Sequence, residues 1–258
     1  MKKGFFLYTL AGVLLTNSAQ AENGVPNTYS SDIWSGNYVG ISLGSRNVEG
    51  DWTTTSYQDP NGNALAFGTN QNTNIDSDEL FYSIYIGRNW QIKPRILTSV
   101  EGSIGNASNN ETHVTIPGVN IDYVPDFSFI QLEEGIEATL RGRIGYLIKQ
   151  DIHVYSGLGV AAMKVDISAT CPADTDFCNP SRGTQHNSEL KILTGWTASI
   201  GLDGVLQKNI FWRLEYSYAD YGDVDFSGLP AIAGESFGFS SNMDYVSDTL
   251  MLGFGYKF

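Results

Sequence analysis

The last ten residues, 249–258, read TLMLGFGYKF. Every second residue from Leu250 to Phe258 is apolar, and the residues between them are mostly small or polar. Alternation with a period of two is typical of a β-strand whose two faces meet different environments. The glycines and Lys257 would make a poor core, so the apolar face of this strand is expected to point outward.

The same alternation recurs upstream and predicts eight strands in total. It is clear over 137–146, 196–203 and 212–219. It is weaker, but present, over 37–46, 80–90, 97–105 and 152–164.

The connections between these strands alternate between long and short. The long ones cover about 49–79, 106–128, 166–190 and 222–244, and the short ones cover 91–96, 147–151 and 207–210. This order, with aromatic residues at strand ends, predicts an all-β protein. We expect an eight-stranded antiparallel up-and-down transmembrane β-barrel with short periplasmic turns and four long extracellular loops. The alternative is a secreted β-sandwich or lipocalin-like barrel with an apolar interior.

The N-terminus predicts export. Residues 1–3 are basic at two positions, residues 5–15 are apolar, and Ala19-Gln20-Ala21 has the small-x-small pattern of a cleavage site. The apolar run is too short for a membrane-spanning helix, which needs about 20 residues. We therefore expect a signal peptide over 1–21, a short periplasmic segment over 22–36 and the barrel over 37–258.

Two cysteines, Cys171 and Cys178, bracket the segment CPADTDFC. In an oxidising compartment they are expected to form a disulfide that closes a small loop. A metal site is the alternative, but no histidine lies at ligand spacing and zinc prefers four ligands. No metal or other cofactor is predicted.

The net charge is −13, which disfavours nucleic acid as a partner. The segments 47–79, 106–129, 166–190 and 220–248 together carry −18, so the loops are expected to be acidic. Such loops would approach lipopolysaccharide phosphates through divalent cations, and they fit negatively charged haemin less well. A Ca²⁺ site near Asp223 and Asp225 or near Asp174 and Asp176 is an alternative, although neither pair has EF-hand spacing.

The inward face is expected to carry four acids and four bases. An eight-stranded barrel is only wide enough to be filled by side chains, and buried charges must be paired. The sequence therefore predicts a lumen plugged by ion pairs, with a gated polar channel as the alternative. The residues assigned to this network are Glu101, Glu137, Arg141, Arg143, Asp203, Arg213, Glu215 and Lys257.

Catalytic patterns are weak. GLGVAA at 157–162 matches a dinucleotide-binding pattern, but no helical pattern follows it, so a glycine-lined strand is the better interpretation. The three histidines, His113, His153 and His186, lie apart and lack a serine and an acid at triad spacing. The chain is not expected to be an enzyme.

Several segments resemble the small outer-membrane β-barrel, or porin-like, family of Gram-negative bacteria, some of whose members are named outer-membrane immunogenic or haemin-binding proteins. They are WSGNYVGISLG (34–44), TLRGRIGY (139–146), GWTASIGLDGVL (195–206), WRLEYSYADYG (212–222) and LGFGYKF (252–258).

The resemblance implies location in the bacterial outer membrane. It also implies that Phe258 is part of the signal read by the barrel-assembly machinery. The expected role is that of a structural or surface-interaction protein, in contact with outer-membrane lipid and with a host or surface ligand at its loops. A small-solute channel and a haemin-binding protein are the alternatives.

Overall fold

A computed structural model describes residues 33–59, 61–66, 72–108, 111–115, 129–171, 184–229 and 238–258. The predicted signal peptide and Cys178 lie outside these residues. Within the described residues, nine antiparallel strands form one sheet. They are β1 (Gly36–Gln58), β2 (Asn72–Lys93), β3 (Ile96–Ser108), β4 (Glu111–Thr115), β5 (Phe129–Lys149), β6 (Ile152–Cys171), β7 (Gln185–Gln207), β8 (Ile210–Phe226) and β9 (Gly238–Lys257).

The sheet closes on itself as a barrel with eight strand positions. Apart from β3 and β4, each strand pairs with its neighbour in sequence, and β9 pairs with β1. The third position is shared, because β3 and the short β4 both pair with β5, one beyond the other. The predicted eight-stranded antiparallel barrel is therefore confirmed, and the ninth strand is a continuation of the third.

The stagger of the strands follows from their register. We start at Tyr38 on β1 and move from each residue to its paired residue on the next strand. One full turn around the barrel returns to β1 at Val48, ten residues further along. The barrel therefore has a shear number of ten. A barrel of eight strands has an interior that side chains can fill.

The two ends of the barrel differ. The short turns Pro94-Arg95, Gln150-Asp151 and Lys208-Asn209 lie at the end that also carries the C-terminus, which we call the turn end. The long connections lie at the other end, which we call the loop end. These connections are shorter than predicted, because the strands continue through much of 49–58, 72–79, 166–171, 185–190, 222–226 and 238–244. No helix in the part of the chain that the structure describes is long or apolar enough to cross a bilayer.

The outward face of the long strands changes from apolar to polar along their length. On β1 the outward residues are Val39, Ile41 and Leu43 near the turn end, and Glu49 and Asp51 near the loop end. The other strands largely repeat this pattern, so an apolar band encircles the outside of the turn-end half. Such a band is the surface that a barrel presents to lipid. Its exposed members include Ile84, Ile86, Leu140, Ile144, Leu158, Ile200, Leu214, Leu252 and Phe254.

The inward face changes in the opposite sense. It is polar along the lipid-facing half, and near the loop end it is apolar and packed around Trp52, Met163, Phe226 and Tyr245, each at most 1% exposed. This apolar core was not predicted from the sequence. Above the apolar outer band the strands face water, so apolar residues turn inward as in a soluble barrel.

Candidate functional site

The lumen of the lipid-facing half holds a layer of buried ion pairs centred on Glu101 of β3, which is 1% exposed. One carboxylate oxygen accepts hydrogen bonds from Arg213 at 2.6 Å and from Arg143. The other oxygen accepts from Arg141 at 3.1 Å. The hydroxyl of Tyr38 donates to the same carboxylate at 2.8 Å. A charge this far from water is stable only with such compensation.

Two more carboxylates complete this layer, which we call the Glu101 layer. Asp203 accepts from Nε and Nη2 of Arg213 at 2.9 and 3.2 Å, a two-point contact that suits the guanidinium fork. Glu215 accepts from Arg141 at 2.7 Å and from the Tyr155 hydroxyl at 2.6 Å. Three acids and three arginines make the layer neutral.

Glycines leave the space that these long side chains occupy. A Cβ atom at Gly87 would stand 2.3 Å from the Tyr38 hydroxyl, and one at Gly40 would stand 2.2 Å from Cζ of Tyr85. Both contacts are too short for real atoms, so each tyrosine can lie over its partner on the neighbouring strand only because that position lacks a side chain.

A second layer lies nearer the loop end and is centred on Arg46 of β1, which is 2% exposed. Arg46 donates to Glu137 at 2.5 Å and to Glu134 at 3.3 Å. The hydroxyls of Tyr221 and Tyr245 donate to Glu137 and Glu134, respectively. The guanidinium carbon lies 3.8 Å from the centre of the Phe81 ring.

A β-bulge puts both acids of this Arg46 layer in the lumen. Glu134 and Glu137 are three residues apart, which would normally place them on opposite faces of a strand. The register between β5 and β6 shifts between these residues, so both side chains point inward.

Glu79 gives the Arg46 layer a surplus of acid. It faces Arg46 across the β1–β2 ladder and is 5% exposed. Arg46 bonds to Glu134 and Glu137, and Oε2 of Glu79 has no hydrogen-bond partner among the described residues. Three carboxylates therefore surround one guanidinium. An unpartnered buried oxygen of this kind costs stability.

Hydroxyl groups line the space between the two layers. A cavity of about 20 Å³ remains there, bordered by Arg46, Glu137 and Arg141 and by the side chains of Ser103, Thr139, Thr197, Ser217, Ser247 and Thr249. This volume holds about one water molecule, since one needs roughly 10–15 Å³.

Trp34 closes the turn end of the lumen. Its indole donates to the carbonyl of Gln150 at 2.8 Å, and it packs with Leu97 and Leu147. Behind it lies His153, 1% exposed, with Nδ1 3.8 Å from Asp203.

Acidic side chains cover the outside of the barrel just beyond the apolar band. They lie on β1, β2, β5, β6, β8 and β9, and Asp223 faces Asp244 across the β8–β9 ladder. Partial burial and then the nearby Asp223 carboxylate raise the pKa of Asp244. Among the residues that the structure describes, no group of three or more histidines, cysteines and acids is placed to hold a metal ion.

The structure places seven of the eight predicted network residues among these contacts: Glu137 lies in the Arg46 layer and the other six form the Glu101 layer. Lys257 instead lies half-buried at the turn end, where β9 ends, and borders a small cavity of about 10 Å³ together with Trp34 and Asp203. Phe258 is 62% exposed, and its backbone N–H donates to the carbonyl of Asn37 at 2.9 Å. The disulfide stays a prediction, because Cys178 lies outside the described residues.

Arg46, Glu134 and Glu79 were missing from the predicted network. Arg46 is the last inward residue of the alternating segment 37–46, and Glu79 lies one position before the segment 80–90 in the same inward phase. Following the alternation to these two positions would have found both. Nothing in the alternation would have found Glu134, because the bulge reverses it.

The chain is similar in sequence to known outer-membrane proteins. The family model described as "Outer membrane protein beta-barrel domain" matches residues 9–258. The 25 kDa outer-membrane immunogenic protein of Brucella abortus is 24% identical over 225 residues, covering 87% of this chain and 79% of that protein. The 22 kDa outer membrane protein of Rhizobium leguminosarum bv. viciae is 26% identical, covering 68% of this chain and 64% of that protein.

A solved structure shares the fold. The outer membrane protein OprG from Pseudomonas aeruginosa superposes with a TM-score of 0.50 at 15% identity, covering 89% of this chain and 99% of OprG.

Proposed function

Because the chain belongs to the outer membrane protein β-barrel family, we propose that it is a non-catalytic outer-membrane protein with a lumen plugged by side chains. In this proposal the barrel is a rigid support, and its acidic loop end interacts with other molecules at the cell surface.

The Glu101 layer carries the plug proposal. Its charged groups are 1–4% exposed and bond across the lumen from β3, β5, β7 and β8. Conducting pores carry rings of charged side chains around open water, whereas this layer is neutral and closed. The apolar core beyond the Arg46 layer and the Trp34 cap add to the obstruction at the two ends.

Planar-bilayer recording tests the plug. We expect the wild-type barrel to show no steady single-channel openings, and the Arg143→Ala and Arg213→Ala barrels to leak if they fold. Steady openings of the wild type that disappear in these variants would contradict the plug and support the alternative, a small-solute channel.

The acidic outer surface supports the second half of the proposal. Carboxylates at this level would approach lipopolysaccharide phosphates through divalent cations, because like charges repel. We expect chelation with EDTA to reduce association of the purified barrel with lipopolysaccharide-containing vesicles, and Mg²⁺ to restore it.

Haemin carries negative propionates and fits this surface less well. Its binding would appear as a Soret shift when the barrel is titrated with micromolar haemin.

A further inference from the structure

Arg88 of β2 places a positive charge on the lipid-facing wall of the barrel. It is exposed and points outward between Ile86 and Trp90, which are 60% and 42% exposed. All the other outward residues of β2 from Leu80 to Ile92 are apolar or aromatic. A charge on the lipid face of a barrel costs free energy, and the cost is smallest near the membrane interface. Arg88 is therefore a candidate for a binding role.

The neighbours of Arg88 on this face, all of them described residues, include no acid. Across the two ladders it faces Asn37 of β1 and Val100 of β3. Its guanidinium carbon lies 5.6 Å from the centre of the Trp90 ring, an attractive contact between a cation and an aromatic face. Trp90 is two residues closer to the turn end, so the side chain of Arg88 bends toward the edge of the apolar band. This contact leaves the N–H donors at the edge of the guanidinium available to a further acceptor.

Arg88 lies near the turn-end border of the apolar band. Its partner Asn37 is the second residue of β1, and the carbonyl of Asn37 accepts a hydrogen bond from the N–H of Phe258 on the other side. These three residues form one row, at the level where β1 begins and β9 ends. Trp90 and Tyr146 are exposed near the same border, as in the aromatic girdles that barrels place at membrane interfaces. The guanidinium of Arg88 therefore lies at the headgroup level of the leaflet around the turn end.

The turn end around Arg88 is basic. Residues 88–98, which form this end of the β2–β3 hairpin, contain three bases and no acid. Arg95 of this hairpin donates to the hydroxyl of Tyr146 on β5 at 3.1 Å, so the next turn lies beside it. The terminal carboxylate of Phe258 is in the row of Arg88 but two strands away. In the described part of the turn end, the other exposed charged side chains are four bases and one acid: Lys93, Arg95, Lys149, Lys208 and Asp151.

The position of this basic surface in the membrane indicates its ligand. The short turns of an outer-membrane barrel face the periplasm, so the turn end meets the phospholipid headgroups of the periplasmic leaflet. Each of these headgroups carries a phosphate, and a guanidinium can donate two parallel hydrogen bonds to one phosphate. A surplus of basic side chains at the membrane surface favours lipids with a net negative charge over zwitterionic ones. The acidic loop end has the opposite preference.

We propose that Arg88, held by Trp90, binds the phosphate of an anionic phospholipid, phosphatidylglycerol, in the periplasmic leaflet. Lys93 and Arg95 on the same hairpin attract its headgroup to this side of the barrel. The inference rests on the outer-membrane location and on the periplasmic position of the short turns. It is independent of whether the lumen is plugged and of what the loop end contacts.

Native mass spectrometry of lipid retention tests the site. Barrels folded in vesicles of equal parts phosphatidylglycerol and phosphatidylcholine would be released into detergent containing EDTA, and the two retained lipids would be counted. We expect the wild type to retain at least five-fold more phosphatidylglycerol than phosphatidylcholine, and Arg88→Gln to retain the two equally. Lys208→Gln is the matched control, because it makes the same charge change at the same end of the barrel, on the β7–β8 turn. This control is expected to keep the preference of the wild type.

Each other result contradicts the proposal. The same preference in the wild type and Arg88→Gln would show that Arg88 is not the site, and an equal loss in Lys208→Gln would show only a general attraction to the basic end. A wild type without a preference would overturn the choice of an anionic lipid. If lipid A replaces phosphatidylglycerol at equal concentration and Arg88→Gln abolishes this, the ligand comes from the outer leaflet instead. Heat-modifiable migration in gels establishes that each variant is folded, and planar-bilayer recording reports separately on the plug.

Discussion

At the scale of single residues, Glu101 joins its own strand, β3, to three other strands of the barrel wall. It accepts hydrogen bonds from arginines on β5 and β8 and from Tyr38 on β1. Removal of one partner from such a group leaves a charge buried without compensation, which costs more than the pair contributes when intact.

Arg213→Ala is therefore expected to lower the free energy of unfolding by about 3–5 kcal/mol, because Asp203 and Glu101 both lose a partner. Urea unfolding in lipid vesicles measures this loss. The control is Lys208→Ala, which removes the same charge from an exposed turn and is expected to cost about 0–1 kcal/mol. Equal losses for the two variants would contradict a lumen held together by buried ion pairs.

Glu79→Gln should act in the opposite direction. It keeps the shape of the side chain and removes one negative charge from a layer with three acids and one arginine, so we expect stability to rise by about 1 kcal/mol. Glu137→Gln should lower it, because Glu137 accepts from both Arg46 and Tyr221. Asp78→Asn, an exposed neighbour with the same charge change, should leave the unfolding midpoint unchanged. A loss of stability in Glu79→Gln would mean that its carboxylate is compensated.

At the scale of elements, β9 closes the ring against β1 with a ladder that runs from Lys257 to Gly238. Its turn end is fixed by the Phe258 N–H bond to Asn37 and by the bonds of Asn209 to the Lys257 backbone, at 2.8 and 2.7 Å. The last residue therefore lies at the seam where the barrel closes.

Deletion of Phe258 is expected to lower outer-membrane assembly and to leave export intact, since the N-terminus is unchanged. The fraction of heat-modifiable protein in outer-membrane preparations measures assembly. Phe254→Ala is the matched control, because it removes a phenyl ring from the outward face of β9, four residues before Phe258. Normal assembly of the deletion, or an equal defect in the control, would contradict a signal specific to the terminal phenylalanine.

At the scale of the whole molecule, the barrel has two halves with opposite polarity. The turn-end half is apolar outside and polar inside, and the loop-end half is polar outside and apolar inside. The surrounding medium, lipid in one half and water in the other, determines whether the outer face is apolar or polar. The two ion-pair layers lie in the polar part of the lumen, and the apolar core lies between them and the loop end.

Matched tryptophans at the two ends test this description. Trp52→Ala removes a side chain that is 0% exposed in the loop-end core and is expected to cost about 3–5 kcal/mol. Trp90→Ala removes one that is 42% exposed at the outer surface, and its cost should be smaller. Urea unfolding of both variants in the same vesicles compares them. A larger loss for Trp90→Ala would contradict a packed core at the loop end.

The sequence alone determined that there are eight strand positions and which residues face outward in their lipid-facing parts, because a period of two is a local property of the chain. Residues 249–258 are sufficient to show that β9 turns its apolar face outward. The inward positions of Glu101, Arg141, Arg143, Asp203, Arg213 and Glu215 follow from the same alternation.

The tertiary structure alone decided which of these charges meet. Arg213 and Glu101 are 112 positions apart in the chain, and their contact depends on the shear with which the sheet closes. The bulge that turns Glu134 inward and the apolar loop-end core likewise depend on neighbouring strands. Local alternation specifies the face of a strand, but not its height relative to the strands across the lumen, and the height determines the ion pairs.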